Sequence, residues 1–119
     1  MPFSRLGIFE TFETLETSIY EEIVSVPVRV LPGRYSDREM RVVVRRLVNV
    51  AGVDKTRVAA SPEVVAQVAA ATAELGRSGR ILVRPSGTEP TVRVMVEAVD
   101  PERARHLADR LASVIRSAS

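Results

Sequence analysis

Ten consecutive residues, RPSGTEPTVR at positions 84–93, hold two arginines, two prolines, one glycine and three hydroxyls between the apolar runs ILV and VMV. Pro85 and Pro90 bracket the turn, fix two φ angles and remove two amide donors. Gly87 is free to take a positive φ, which would let consecutive N–H groups converge into an anion-binding nest. Ser86 and Thr88 add hydroxyl donors. Arg84 closes one end of the loop and Arg93 emerges from the run that follows, so in an antiparallel hairpin their guanidinium groups can meet on one side. Such a set suits a phosphate monoester, a tetrahedral dianion with several acceptors on each face. A solvated polar hairpin turn accounts for the same composition. Glu89 argues for that second reading, because a carboxylate beside the nest repels an anion unless it pairs with an arginine and holds it. Spacing alone leaves both open.

Other residues that could do chemistry read more simply. His106, the single histidine, falls on the wet side of a helical stretch near Glu102 and Arg110, which is a solvated face rather than a catalytic base. Glu10, Glu13, Glu16, Glu21 and Glu22 read as the polar side of an amphipathic segment, not as a metal cluster. Arg41, Arg45 and Arg46 read as a charged strand edge. Cysteine is absent, which removes disulfides, thiol catalysis and zinc–thiolate sites and fits a reducing cytoplasm. The longest apolar runs are a few residues, too short to span a membrane. The start of the chain, MPFSRLGIFETFETLETS, gathers acids where a signal peptide needs a basic flank and an apolar run. Net charge is only +2, with positive residues scattered among acids. That pattern, and the lack of any aromatic residue after Tyr35 to stack on bases, argues against a nucleic-acid partner.

The elements that would position the loop are legible after residue 38. RVVVRRLVNV (41–50) is β-branched and reads as a strand, and residues 54–60 as a connector. Ser61 is a good N-cap, with Pro62 at the first helical position and Glu63 in the first turn. Val64, Val65, Val68, Ala71, Thr72 and Leu75 then mark one helix side, and Gly76 stops it. Residues 80–84 form a strand, the loop follows, and residues 92–98 alternate as a half-buried strand. Asp100, Pro101 and Glu102 start a last helix with a stripe of Ala104, Leu107, Leu111, Val114 and Ile115, while Arg105 and Asp109 are spaced to pair on its wet side. The expectation is an α+β two-layer sandwich with a β-α-β-β-α core, a mostly antiparallel sheet, and helices on one face. Leu47, Val50, the helix stripes and the valines of the last strand would make the core. Residues 39–119 form this domain. Residues 1–38 hold all five aromatic residues and the period-three run ETFETLET, and read as an atypical N-terminal extension. Phe9, Phe12, Leu15, Ile19 and Ile23 predict an amphipathic helix over 6–24 that could self-associate. Residues 26–30 read as a short extended piece kept to an edge by Pro27, followed by a turn at Pro32-Gly33.

RPSGTEPTVRVMVE resembles the phosphate-binding loop of the α-D-phosphohexomutases, and RVMVE is most similar to the phosphoglucosamine mutase branch. The resemblance spans roughly residues 46–119, from LVNVAGVDK through ASPEV and ELGRSGRILVRPSGTEP to VEAVDPERARHLADRLASVI. It implies the fourth, C-terminal domain of a cytoplasmic enzyme, with a fold like half of a TATA-binding protein. In that family the loop grips the phosphate of a hexose phosphate such as glucosamine phosphate, while a phosphoserine in the first domain exchanges phosphoryl with the other end of the sugar. Carried over position by position, Arg84, Ser86, Gly87 and Thr88 match the phosphate contacts, and Arg93 matches the basic position of the motif. The family's serine loop (TASHNP), metal loop (DGD) and sugar-selecting GGExSG do not occur in this chain. The resemblance therefore implies a phosphate-binding domain with no catalytic or metal residue of its own, magnesium belonging to the missing mutase domains. A non-enzymatic module that senses a phosphorylated metabolite or recruits a partner is the alternative. One open loop on one phosphate reaches a Kd of about 1 mM.

Overall fold

The computed structural model describes residues 9–14, 17–31 and 33–119. The described residues form five strands and three α-helices, in the order β1 (Phe9–Thr14), β2 (Thr17–Leu31), β3 (Arg34–Ala51), α1 (Lys55–Ala60), α2 (Pro62–Leu75), β4 (Gly79–Pro85), β5 (Thr91–Ala98) and α3 (Pro101–Ala118). The strands form one sheet in the order β1-β2-β3-β5-β4, every neighbouring pair antiparallel. The α+β two-layer expectation holds. Among the described residues no helix is long and apolar enough to cross a membrane.

Side-chain parity divides the sheet. Val44, Val48 and Val50 of β3 and Val92, Val94, Val96 and Ala98 of β5 are buried against α2 and α3. From α3 come Ala104, Leu107, Ala108, Leu111, Ala112 and Ile115, and from α2 Val64, Ala71 and Leu75. Fully burying one Leu or Ile stabilises by about 1.5–3 kcal/mol, so these side chains fix the layer geometry. The helix signals act as read: Ser61 Oγ accepts from the Val64 amide, an Asp100 carboxylate oxygen accepts from the Glu102 amide, and Gly76 ends α2 with φ 54°. Asp54 likewise caps α1 through the Thr56 and Arg57 amides, turning the expected connector into a short helix.

Several expectations are corrected. The helix over 6–24 is replaced by strand across Phe9–Thr14 and from Thr17 onward; the rest of that span lies outside the described residues. Apolar spacing of three to four suggested a helix, but Glu21 interrupts the strand alternation of Ile19 and Ile23. It tolerates the helix-side face because Arg46 Nη1 (3.0 Å) and Arg105 Nη2 (3.0 Å) bind its carboxylate. Long-range pairing with β3, Ile19 against Val48 and Ile23 against Val44, then decides the outcome. Arg105 and Asp109 do not pair with each other, since both reach down to the sheet, Asp109 to Arg46 at 3.6 Å. Leu47 is not in the core, because its parity is opposite to that of Val48 and Val50. Val65 and Thr72 are exposed rather than part of the buried α2 stripe. Pro27 sits in a fifteen-residue strand rather than a short one, where β1 no longer runs alongside and the register shifts toward Val28. A missing amide donor is tolerated at such a place. Position 38 falls within β3, which runs from Arg34 to Ala51.

Candidate phosphate-binding site

The loop is the β4–β5 connection. Arg84 and Arg93 stand directly opposite each other in the register, with Pro85 opposite Val92. Cross-strand partners project to the same face, here the face away from the helices. Among the described residues neither guanidinium has a carboxylate partner. Two like charges thus stand at opposed positions of a strand pair, an arrangement that favours a bound anion.

The tip is braced from inside and from the chain that follows β3. The Ser86 amide donates to the Thr91 carbonyl (2.8 Å), and the Thr91 amide to the Glu89 carbonyl (2.8 Å). The Val53 amide donates to the Pro90 carbonyl (3.0 Å), and Lys55 Nζ to the Ser86 carbonyl (2.6 Å). The lone lysine of the chain thus holds one shoulder of the loop and the Val53 amide the other. Ser86 Oγ accepts from the amides of Thr88 (3.3 Å) and Glu89 (3.2 Å). Gly87 does not take the expected positive φ, which occurs at Gly33, Gly52 and Gly76 instead. A side-chain turn on Ser86 gathers the amides that a glycine nest would have gathered. Both bonds lie at the long end of the N–H···O range, so an anionic oxygen competes well for those donors.

A cleft of about 540 Å³ opens beside the loop, with Arg84, Ser86, Gly87 and Arg93 on its wall. Thr88, the fifth residue matched to the family motif, is exposed and does not line it. Glu89 lines the cleft but forms no ion pair among the described residues. The part of arginine holder falls to Asn49, whose Oδ1 accepts from Arg93 Nε at 2.9 Å. Sequence reasoning missed Asn49 and Lys55, because only the strand register and the α1 fold bring them to the loop.

The remaining candidates have partners of a structural kind. The Arg41–Arg46 cluster is no strand edge, since β3 lies in the middle of the sheet. Arg45 Nε binds the buried Glu97 (2.7 Å), which also takes Arg80 Nε (2.7 Å). Arg46 binds Glu21, and Arg41 Nη1 donates to the Arg77 carbonyl (2.7 Å). Glu21 and Glu22 are both engaged by arginines; the side chains of Glu10, Glu13 and Glu16 lie outside the described residues. Burial pushes the Glu21 carboxyl up, but hydrogen bonds and charge from Arg105 and Arg46 outweigh it and leave it below the ordinary 4.5. His106 is exposed on α3. Among the described residues no three His, Cys, Asp or Glu side chains come together as a cation site.

A two-layer α+β domain with an arginine-edged hairpin tip defines the class, and comparison with known proteins supplies the family. Residues 47–114 match the family model described as phosphoglucomutase/phosphomannomutase, C-terminal domain, and the chain belongs to that family. Phosphoglucosamine mutase of Thermobifida fusca (strain YX) is 70% identical over 70 residues, covering 59% of this chain and 16% of that protein. The phosphoglucosamine mutase of Frankia alni is 65% identical over 72 residues, with 60% and 16% covered. That of Streptomyces coelicolor is 61% identical over 72 residues, again with 60% and 16%. The aligned part of the chain thus spans about 16% of the length of these curated relatives.

Proposed function

We propose that the 84–93 loop binds the phosphate group of a hexose phosphate, glucosamine phosphate in particular, and that this domain holds its ligand without transferring the phosphoryl group. The carrying observation is the Arg84–Arg93 pair, two arginines at opposed strand positions that both line the cleft and, among the described residues, form no ion pair with a carboxylate. The Thr88 and Glu89 amides and the Ser86 hydroxyl supply further donors once they turn from each other to an anionic oxygen. Charge-assisted hydrogen bonds are worth about 1.5–3 kcal/mol each before ordering costs. Phosphoryl transfer needs in addition a nucleophile with an activating base, or a metal. Ser86 Oγ is the acceptor for two amides, and His106 lies away on α3. In a complete mutase of this family the same grip would serve the interconversion of glucosamine 6-phosphate and glucosamine 1-phosphate. The reacting serine and magnesium would stand on other domains.

Titrating glucosamine 6-phosphate into ¹⁵N-labelled protein tests the site. Amide shifts centred on residues 84–93, abolished in Arg84→Ala, are expected. Shifts scattered elsewhere, or unchanged in that variant, refute the assignment, and measurable mutase turnover by this chain alone refutes the division of labour.

A further inference from the structure

Ser18, Asn49, Arg93 and Arg84 occupy one row across β2, β3, β5 and β4. Within the row, Arg93 Nε donates to Asn49 Oδ1 (2.9 Å), and Asn49 Nδ2 donates to Ser18 Oγ (3.1 Å). The direction of this relay is set by chemistry. A guanidinium has donors only, so the amide must turn its carbonyl to Arg93 and its NH₂ to Ser18. Ser18 is then an acceptor toward Asn49, and its own O–H proton is left for another partner. Ser18 lies on the wall of the same cleft as Arg84 and Arg93. The Asn49 bond also draws the Arg93 guanidinium toward the Ser18 end of the row. Bonds linked in this way polarise one another.

We infer that Ser18 is a further ligand-binding residue of this cleft, donating its hydroxyl proton to an oxygen of the bound ester, and that Asn49 is the positioning residue that aims Arg93 and leaves the Ser18 proton free. The inference rests on the phosphate-binding reading above. It also makes the site a joint product of two parts of the chain, because Ser18 belongs to the front segment, outside the family match at 47–114.

The experiment measures Kd by amide shifts for glucosamine 6-phosphate and for inorganic phosphate in wild type, Ser18→Ala, Ser18→Thr, Asn49→Asp and Ser18→Ala/Asn49→Asp. Losing one hydrogen bond predicts about three- to tenfold weaker binding in Ser18→Ala, with affinity restored in Ser18→Thr. A loss with both ligands assigns the contact to a phosphate oxygen, and a loss with the sugar phosphate alone assigns it to the sugar; either supports the inference. Asn49→Asp keeps an acceptor for Arg93 but draws the Ser18 proton to itself, so Ser18→Ala should have no further effect in that background. In the absence of ligand, the Arg93 Nε–H resonance should move downfield in Asn49→Asp, where the acceptor becomes a carboxylate, and upfield in Asn49→Leu, where the acceptor is lost. If Arg84→Ala abolishes binding while Ser18→Ala binds as tightly as wild type, this inference falls alone. If wild type shows no shifts at 84–93, the parent reading falls and takes this one with it.

Discussion

Replacing Arg84 by Gln should make the empty domain more stable and the ligated one less so. Arg84 and Arg93 face each other across the β4–β5 ladder, and like charges placed so are destabilising by about 0.5 kcal/mol. Removing one guanidinium at low salt should therefore raise the Tm by roughly 2–4 °C. At half-molar salt the Debye length shrinks to a few ångströms and the gain should vanish. Ligand reverses the order. At about ten times its Kd, glucosamine 6-phosphate stabilises the wild type by about 1.4 kcal/mol. The variant, short of a charge-assisted contact, should show a small fraction of that. Thermal melts followed by circular dichroism, at two salt concentrations and with or without ligand, read all four corners. Two results refute the reasoning: a variant that is less stable than wild type when empty at low salt, or ligand stabilisation that is equal in both proteins.

Three further outcomes follow from named contacts. A Cβ on Gly79 would collide with the Glu97 carbonyl oxygen, so Gly79→Ala must force β4 from β5 and should cost about 3 kcal/mol or more in urea unfolding; a loss under 1 kcal/mol would show that the strand start gives way cheaply. Glu21 titrates below 4.5 in the folded state, so its contribution is complete above that value and disappears as pH falls through the depressed one. Urea midpoints measured from neutral to acid pH should thus fall less steeply in Glu21→Gln, and an identical slope would remove the ion-pair account. Lys55→Met frees the Ser86 carbonyl, and phosphate should bind several-fold more weakly with little change in Tm; unchanged affinity would show that Lys55 does not shape the loop.

The matched part of the chain was legible because its signals are local. Ser61, Asp100 and Gly76 mark helix ends by their own side-chain or backbone chemistry, and the valines of β5 alternate without interruption. The facing arginines were also foreseeable, since a short connection between two strands forces antiparallel pairing. What local pattern could not supply was register. Ile19 and Ile23 fit a helix face as well as a strand face until Val44 and Val48 are known to lie opposite. Leu47 and Val50 looked alike as core candidates, though odd and even positions of one strand cannot share a face. Asn49 and Ser18 carry no motif at all. Their place beside Arg93 follows only from the order of strands across the sheet. Gly87 misled for a different reason: its freedom to turn was real, but the Ser86 hydroxyl organised the loop first.

The family match opens at residue 47, partway along β3, and this strand has β2 on one side and β5 on the other. The boundary between familiar and unfamiliar sequence is therefore a continuous backbone, not a hinge. Exchanging the front segment for another would slide every rung of the β2–β3 ladder unless the replacement presented its apolar residues in step. An upstream graft onto this domain is constrained as tightly as a core mutation, and its success would be set by phase along the strand rather than by linker length.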